Sequence, residues 1–192
     1  MTRTLSLLAA MLMALPVLAA ELGDDGLHKT DWMRETFKDL REDLQEANAE
    51  GKRLMLIVEQ RGCIYCTRMH EKVFPRPEID SYIRENFFVV QINLHGQTEV
   101  TDFDGEVLSE KAAARKWGLL FTPSILFLPE EVPEGESAAQ AAVALMPGAF
   151  EAATTLDLLT WVNEKRYALD TEEDFQRYHA RRIQERASRN SD

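Results

Sequence analysis

Apolar and polar positions along this chain follow two periods. Over residues 31–50, "DWMRETFKDLREDLQEANAE", Trp32, Met33, Phe37, Leu40, Leu44 and Ala47 recur at helical spacing. Thr30 or Asp31 offers a cap and Gly51 a stop, so this stretch is predicted as one helix. Residues 54–58, "LMLIV", form an unbroken apolar run of the kind a buried central strand needs. A helical pattern then runs through Met69 and Val73, until Pro75 and Pro77 break or kink it. Another helical turn sequence, "EIDSYIRENF", follows, and "FFVVQINL", residues 87–94, is a second strand. His95–Glu106 reads as a loop with a turn at Asp104–Gly105, and residues 107–116 as a short helix. "SILFL", residues 124–128, is a third strand entered through Thr122–Pro123. After the polar loop "EEVPEGESAAQ", the run "AVALM" is a fourth strand stopped by Pro147–Gly148. Residues 152–166 form a helix carrying Leu156, Leu159, Trp161 and Val162. From Asp170 the chain is densely charged, with Phe175, Tyr178 and Ile183 as its apolar marks, and is expected to be a helix that docks loosely or frays.

This order gives a fold of the α/β class. A strand–helix–strand unit makes two parallel strands, and the two later strands pair antiparallel. The expected result is one domain over residues 21–168, a mixed four-stranded sheet with helices on both faces, an extra N-terminal helix and a charged tail over 169–192. Parallel strands end at the same sheet edge, which is also where an antiparallel third strand begins. The residues after Val58 and those around Pro123 therefore meet at one edge, joined there by the loop His95–Glu106. The loop Glu130–Gln140 belongs at the opposite edge.

Charge and the first residues narrow the setting. The formal net charge is −11, which argues against a nucleic-acid partner and disfavours an anionic membrane surface. The opening "MTRTLSLLAAMLMALPVLAA" has one basic residue, Arg3, then an apolar run, then small residues after Pro16. That is the layout of a secretory signal peptide, cleaved after Ala19 or Ala20. The apolar run falls short of the roughly 20 residues a membrane span requires. The alternative is a hydrophobic N-terminal core helix. Export would place the chain in an oxidising compartment, where two cysteines can form a disulfide.

Cys63 and Cys66 are the only two cysteines, and they enclose two residues. So short a loop restrains the unfolded chain little, so a stabilising staple is a poor reason for the pair. Chemistry is a better one. A thiolate is the nucleophile of thiol–disulfide exchange, yet a free cysteine has a pKa of about 8.5. At the start of a helix, unpaired backbone N–H groups and the helix dipole stabilise a thiolate on Cys63. Cys63 would attack a partner disulfide, and Cys66, one turn later and less exposed, would resolve the mixed disulfide.

An apolar strand ("LMLIV"), then "CIYC" opening a helix, then "FTPSILFL" and "AVALMPGAF": over residues 54–166 this resembles the thioredoxin family. The resemblance implies a cis Thr122–Pro123 bond beside the cysteines, and a substrate groove shaped by Thr122, Pro123, Ile64 and Tyr65. It implies no cofactor beyond the redox-active disulfide. This chain departs from thioredoxins proper in having Glu59 where they carry an aromatic residue, and Ile57 where they bury an Asp. Glu59 either moves protons to and from Cys66 or is a solvated residue at a strand end. His70 lies four residues after Cys66, so Cys63, Cys66 and His70 are a possible copper or zinc set, without an evident fourth ligand. Covalent haem would need His, not Thr67, directly after Cys66.

The wider pattern "VEQRGCIYCTRMHEKVF" with "VTDFDGEVLSEKAAARKWGLLFTPSILFL" is similar to the SoxW-type thioredoxins of bacterial sulfur oxidation. That similarity implies a monomeric periplasmic reductase of client disulfides, fed by an inner-membrane donor of the CcdA or DsbD type. A disulfide oxidase or isomerase using the same residues, and a copper-binding assembly module, remain as alternatives.

Overall fold

The computed structural model describes residues 21–169 and 173–189. The leader expected over residues 1–20 lies outside them. In chain order the elements begin with three two-residue strands, β1 (Glu21–Leu22), β2 (His28–Lys29) and β3 (Met33–Arg34). Helix α1 (Leu40–Ala49), strand β4 (Arg53–Glu59) and helix α2 (Ile64–Arg68) follow, and α2 continues into a π-helical turn, Met69–Val73. Next come α3 (Pro77–Asn86), β5 (Phe87–Asn93), β6 (Glu99–Thr101), β7 (Val107–Ser109) and α4 (Glu110–Lys116). The chain closes with β8 (Ser124–Phe127), α5 (Ala138–Ala141), β9 (Ala144–Pro147), α6 (Ala152–Asn163) and α7 (Phe175–Arg189).

β4 is the central strand because it is apolar on both faces. It pairs in parallel with β5 and antiparallel with β8, and β9 pairs antiparallel with β8. Period-two alternation sends Leu54, Leu56 and Val58 into a core shared with α1 and α4. Met55 and Ile57 point the other way, into a core shared with α3 and α6. The mixed four-stranded sheet covered by helices on both faces is therefore present. A fifth strand joins its edge, where Met33 and Arg34 run parallel to Val89 and Val90 of β5.

That fifth strand explains the main departure from the expected elements. The helix predicted from residue 31 begins only at Leu40, after Asp39, whose side chain accepts the Arg41 and Glu42 N–H groups. Trp32 does enter the core, but from an extended segment, and Lys38 at φ 58° breaks the chain direction before the cap. Tertiary pairing has overridden a helical period, and Phe37 is left 94% exposed. Similarly, Val107–Ser109 is not helical: it pairs with Glu99–Thr101 as a hairpin, and Ser109 caps α4. Within the loop Glu130–Gln140, Ser137 and Gln140 form a capping box that starts α5.

Within the charged tail, helix α7 is docked. Tyr178 of α7 is buried in the α3/α6 core. Asp157 of α6 is also buried, and Arg186 grips it through two hydrogen bonds of 2.8 Å while His179 adds one of 2.6 Å. Burial alone would raise the Asp157 pKa, but the bonds from Arg186 and His179 outweigh it and hold the carboxyl below its usual value. No helix among the described residues is long and apolar enough to cross a membrane.

Candidate active site

β4 stops at Glu59, and the chain turns through Gly62, whose φ of +72° suits a residue without a Cβ. The turn delivers Cys63 to the N-cap of α2, where its sulfur accepts the Cys66 N–H at 3.0 Å. Cys63 is joined to Cys66 in a disulfide. Cys63 is 6% exposed and Cys66 is fully buried, so only the first sulfur can meet a partner.

β8 brings the second half of the site. Because it runs antiparallel to β4, its first residue Ser124 pairs with Val58, near the end of β4. The residues before it thus arrive at the disulfide, and the Thr122–Pro123 peptide bond is cis. The Thr122 hydroxyl donates to the Cys63 sulfur at 3.3 Å. The Thr122 carbonyl oxygen lies 3.4 Å from the same sulfur, a packing contact here, since a disulfide sulfur has no hydrogen to donate. Pro123 itself is buried, with its carbonyl accepting the Gly148 N–H, so it shapes the groove through Thr122 rather than by lining it.

Exposed apolar side chains frame a groove at Cys63. Ile64, Tyr65, Leu120 and Phe121 line it, together with Arg68 and Pro147–Ala149. Leu120 and Phe121 were not singled out in the sequence. Their signal is an apolar pair that abuts Thr122–Pro123 yet belongs to no strand or helix, left 80% and 66% exposed.

The loop His95–Glu106 reaches the site only at its start, where His95 Nε2 bonds Gln60 Oε1 at 3.0 Å. Its distal part runs away along α1. Asp102 accepts the Ala138 N–H, and Arg41 ties the Phe103 carbonyl to those of Val132 and Pro133. Asp102–Glu106 therefore stands against the Glu130–Gln140 loop and is not beside the disulfide.

Glu59 is buried with no exposed surface, which overturns its reading as a solvated strand end. Its side chain shares the face of β4 that carries Met55 and Ile57, the face covered by the helical run after Cys63. Oε1 bonds His70 Nε2 at 2.9 Å, and Oε2 accepts Gln91 Nε2 at 2.7 Å. His70 Nδ1 is buried without a hydrogen-bond partner. The His28 ring stacks on His70, with centroids 4.6 Å apart and planes within 9°. Desolvation and then the neighbouring His70 hold the His28 pKa below its ordinary value. Gln91, a buried polar residue within the apolar run of β5, is the signal in the sequence that could have located this cluster.

Among the described residues Cys63, Cys66 and His70 do not converge as a ligand set. His28, Glu59 and His70 do bring ligand atoms within 4.8 Å of one another. The two imidazoles stack nearly parallel, however, and each Glu59 oxygen is already hydrogen-bonded, so a shared ion would require the rings to turn.

A dithiol motif capping a helix, next to a cis proline at the head of an antiparallel strand, on a mixed sheet between helices, defines the thioredoxin class of fold. A family model for a thioredoxin-like domain matches residues 40–160, and the chain belongs to that family. Among solved structures, a thioredoxin-fold protein from Helicobacter pylori is 19% identical, with a TM-score of 0.56 over 70% of this chain and 86% of that one. A thioredoxin from Thermus thermophilus is 22% identical, with a TM-score of 0.49 over 65% of this chain and 83% of its own. The oxidised C-terminal domain of DsbD from Neisseria meningitidis is 14% identical, with a TM-score of 0.44 over 64% and 91%. No curated protein matches the chain.

Proposed function

We propose that this protein is a thiol–disulfide oxidoreductase that reduces disulfides in periplasmic client proteins. One observation carries the reading: the Cys63–Cys66 disulfide caps a helix with its outer sulfur held by the Thr122 hydroxyl and the Cys66 N–H. After reduction, the same two donors face a sulfur that leaves and attacks as a thiolate, which lowers the barrier to exchange. Cys63 then attacks a client disulfide and expels one client thiolate. Cys66 attacks Cys63 in the mixed disulfide and expels the other. The client gains two electrons and two protons, and the enzyme ends as the disulfide seen here. The apolar walls built from Ile64, Tyr65, Leu120 and Phe121 suit an extended protein segment better than a small polar thiol.

The similarity of the motif region to SoxW-type thioredoxins favours a monomer coupled to sulfur oxidation, re-reduced by an inner-membrane donor of the CcdA or DsbD type. The equilibrium reduction potential of the Cys63–Cys66 pair tests the direction. A value near or below about −220 mV supports a reductase, whereas one near about −120 mV marks an oxidant and makes disulfide formation or isomerisation the function.

A further inference from the structure

The groove beside Cys63 carries a single charge. Among the described residues that line it, Arg68 is the only one with a guanidinium, ammonium or carboxylate side chain. We propose that Arg68 selects clients by a carboxylate, an Asp or Glu side chain about two residues from the client's disulfide cysteine. The inference rests on the reducing role just described and deepens it by naming the class of client.

The helix sets the spacing. Cys63 is the N-cap of α2 and Arg68 its last residue. Ile64 and Arg68 are four residues apart, so they lie one turn apart on one face, and both line the groove. From Cys63 to Arg68 the helix rises by roughly 7.5 Å. An extended segment covers that length in about two residues, and side chains two apart point the same way. A client whose cysteine meets Cys63 therefore presents the side chain two positions away to Arg68.

Arg68 already holds a carboxylate of this chain. Its Nη2 donates to Oε1 of Glu151, the residue that precedes α6 and stands outside the groove lining. The guanidinium and the carboxylate are 47% and 74% exposed. An exposed pair of this kind contributes little, because water screens both charges. Exchanging Glu151 for a client carboxylate therefore costs little. The new pair gains, because the client itself covers the apolar groove and shields the charges, and a guanidinium can grip a carboxylate through two parallel bonds.

The charges around the groove have the same sign. Lys72, about one turn beyond Arg68, and Arg76 after it are exposed, and Arg76 Nε donates to the Lys72 carbonyl. Arg61 is held on the Asp24 and Asp25 carbonyls. Glu71, the exposed carboxylate of this run, lines the cleft with Arg61 and Thr67 and not the groove. The helix that carries the cysteines is thus locally cationic in a chain whose formal net charge is −11. Most of the surface repels an acidic segment, and this edge attracts one.

The test uses the pre-reduced full chain and two disulfide peptides that differ only in Glu or Lys two positions to either side of the cysteine. Stopped flow gives the second-order rate constant for each, and their ratio is the readout. The parent should favour the Glu peptide by about fivefold at low salt, and the ratio should fall towards one as salt screens the charges. Arg68→Gln should abolish the preference and Arg68→Glu should reverse it. Glu151→Gln removes the internal competitor and should widen the ratio. A parent that treats the two peptides alike at low salt would overturn the proposal. So would Arg68→Gln losing rate equally on both peptides with the parent's ratio, which marks packing alone. If Arg68→Gln does not fold, Glu151→Gln decides: a wider ratio upholds the proposal, and an unchanged or narrower one overturns it. A parent that reduces neither peptide at any salt would instead sink the oxidoreductase reading itself.

Discussion

The Thr122 hydroxyl donates a hydrogen bond to the Cys63 sulfur at 3.3 Å, across 59 residues of sequence. This contact ties the head of β8 to the cap of α2 and places a donor on the sulfur that carries charge during exchange. A hydrogen bond to a charged acceptor contributes about 1.5–3 kcal/mol. Thr122→Val keeps the shape and removes the donor. The Cys63 thiol pKa should rise by about one unit, since one unit corresponds to about 1.4 kcal/mol. The ultraviolet absorbance of the thiolate against pH measures it, and an unchanged titration would show that the helix terminus alone sets the thiolate.

The difference in exposure between the two sulfurs sets an order of events. Cys66→Ser should accumulate a stable mixed disulfide between Cys63 and its clients, visible on a non-reducing gel. Cys63→Ser should trap none, because the remaining thiol is buried. Trapping through Cys66 in the second variant would reverse the assigned roles.

Leu120 and Phe121 present apolar surface at the groove without packing into the core. Replacing both with Ser should raise the KM for a protein disulfide by about tenfold, equivalent to about 1.4 kcal/mol, and leave melting nearly unchanged. Turnover of a small disulfide reagent, too short to reach that wall, should stay at the parent value. Equal losses on both substrates would place these residues in folding and not in recognition.

Asp43 is buried on α1, and burial pushes its pKa up to about 6, against help from the Thr36 hydroxyl, with Asp39, Glu46 and Glu42 adding to the rise. A raised carboxyl means that the folded state binds more protons than the unfolded chain between about pH 4 and pH 6. Stability therefore falls as pH rises through that window. Asp43→Asn should gain on the order of 2 kcal/mol at neutral pH and nothing below about pH 4. Denaturant unfolding of the two proteins across pH reads the difference, and a constant offset would assign the effect to packing.

Tyr178 is 1% exposed and anchors α7 in the core. Tyr178→Ala should cost about 3 kcal/mol, as large-to-small changes in cores do, and expose α7 to proteolysis. If the variant melts like the parent and resists cleavage, the tail is docked by the Asp157 cluster alone.

The chemistry was legible early because it is local. Two cysteines three positions apart, an apolar strand before them and a Thr-Pro at the head of a later strand are close in sequence or fixed by strand direction. Cys63, Cys66, Thr122, Ile64 and Tyr65 come together as that pattern implies. Glu59 was visible only as an ambiguity, because sequence shows that a strand ends in a carboxylate but not which face is covered. Its face is fixed by alternation along β4, and its partners His70 and Gln91 come from two other elements, with His28 of a third stacked on His70. The false helix over residues 31–39 has the same origin. Apolar spacing records which residues meet the core, yet Trp32 is buried and Met33 partly buried from an extended segment, Met33 being paired with β5. Tyr178 shows the reverse case, a single aromatic among charges that looked too sparse to hold a helix until α6 supplied its pocket and Asp157 its counter-charge. The sequence by itself determined the cysteine pair and the relative directions of the four main strands, since both follow from short-range pattern and chain direction. Which charges are buried, and what they face, was decided only when distant segments packed, because burial is a property of neighbours that no local stretch contains.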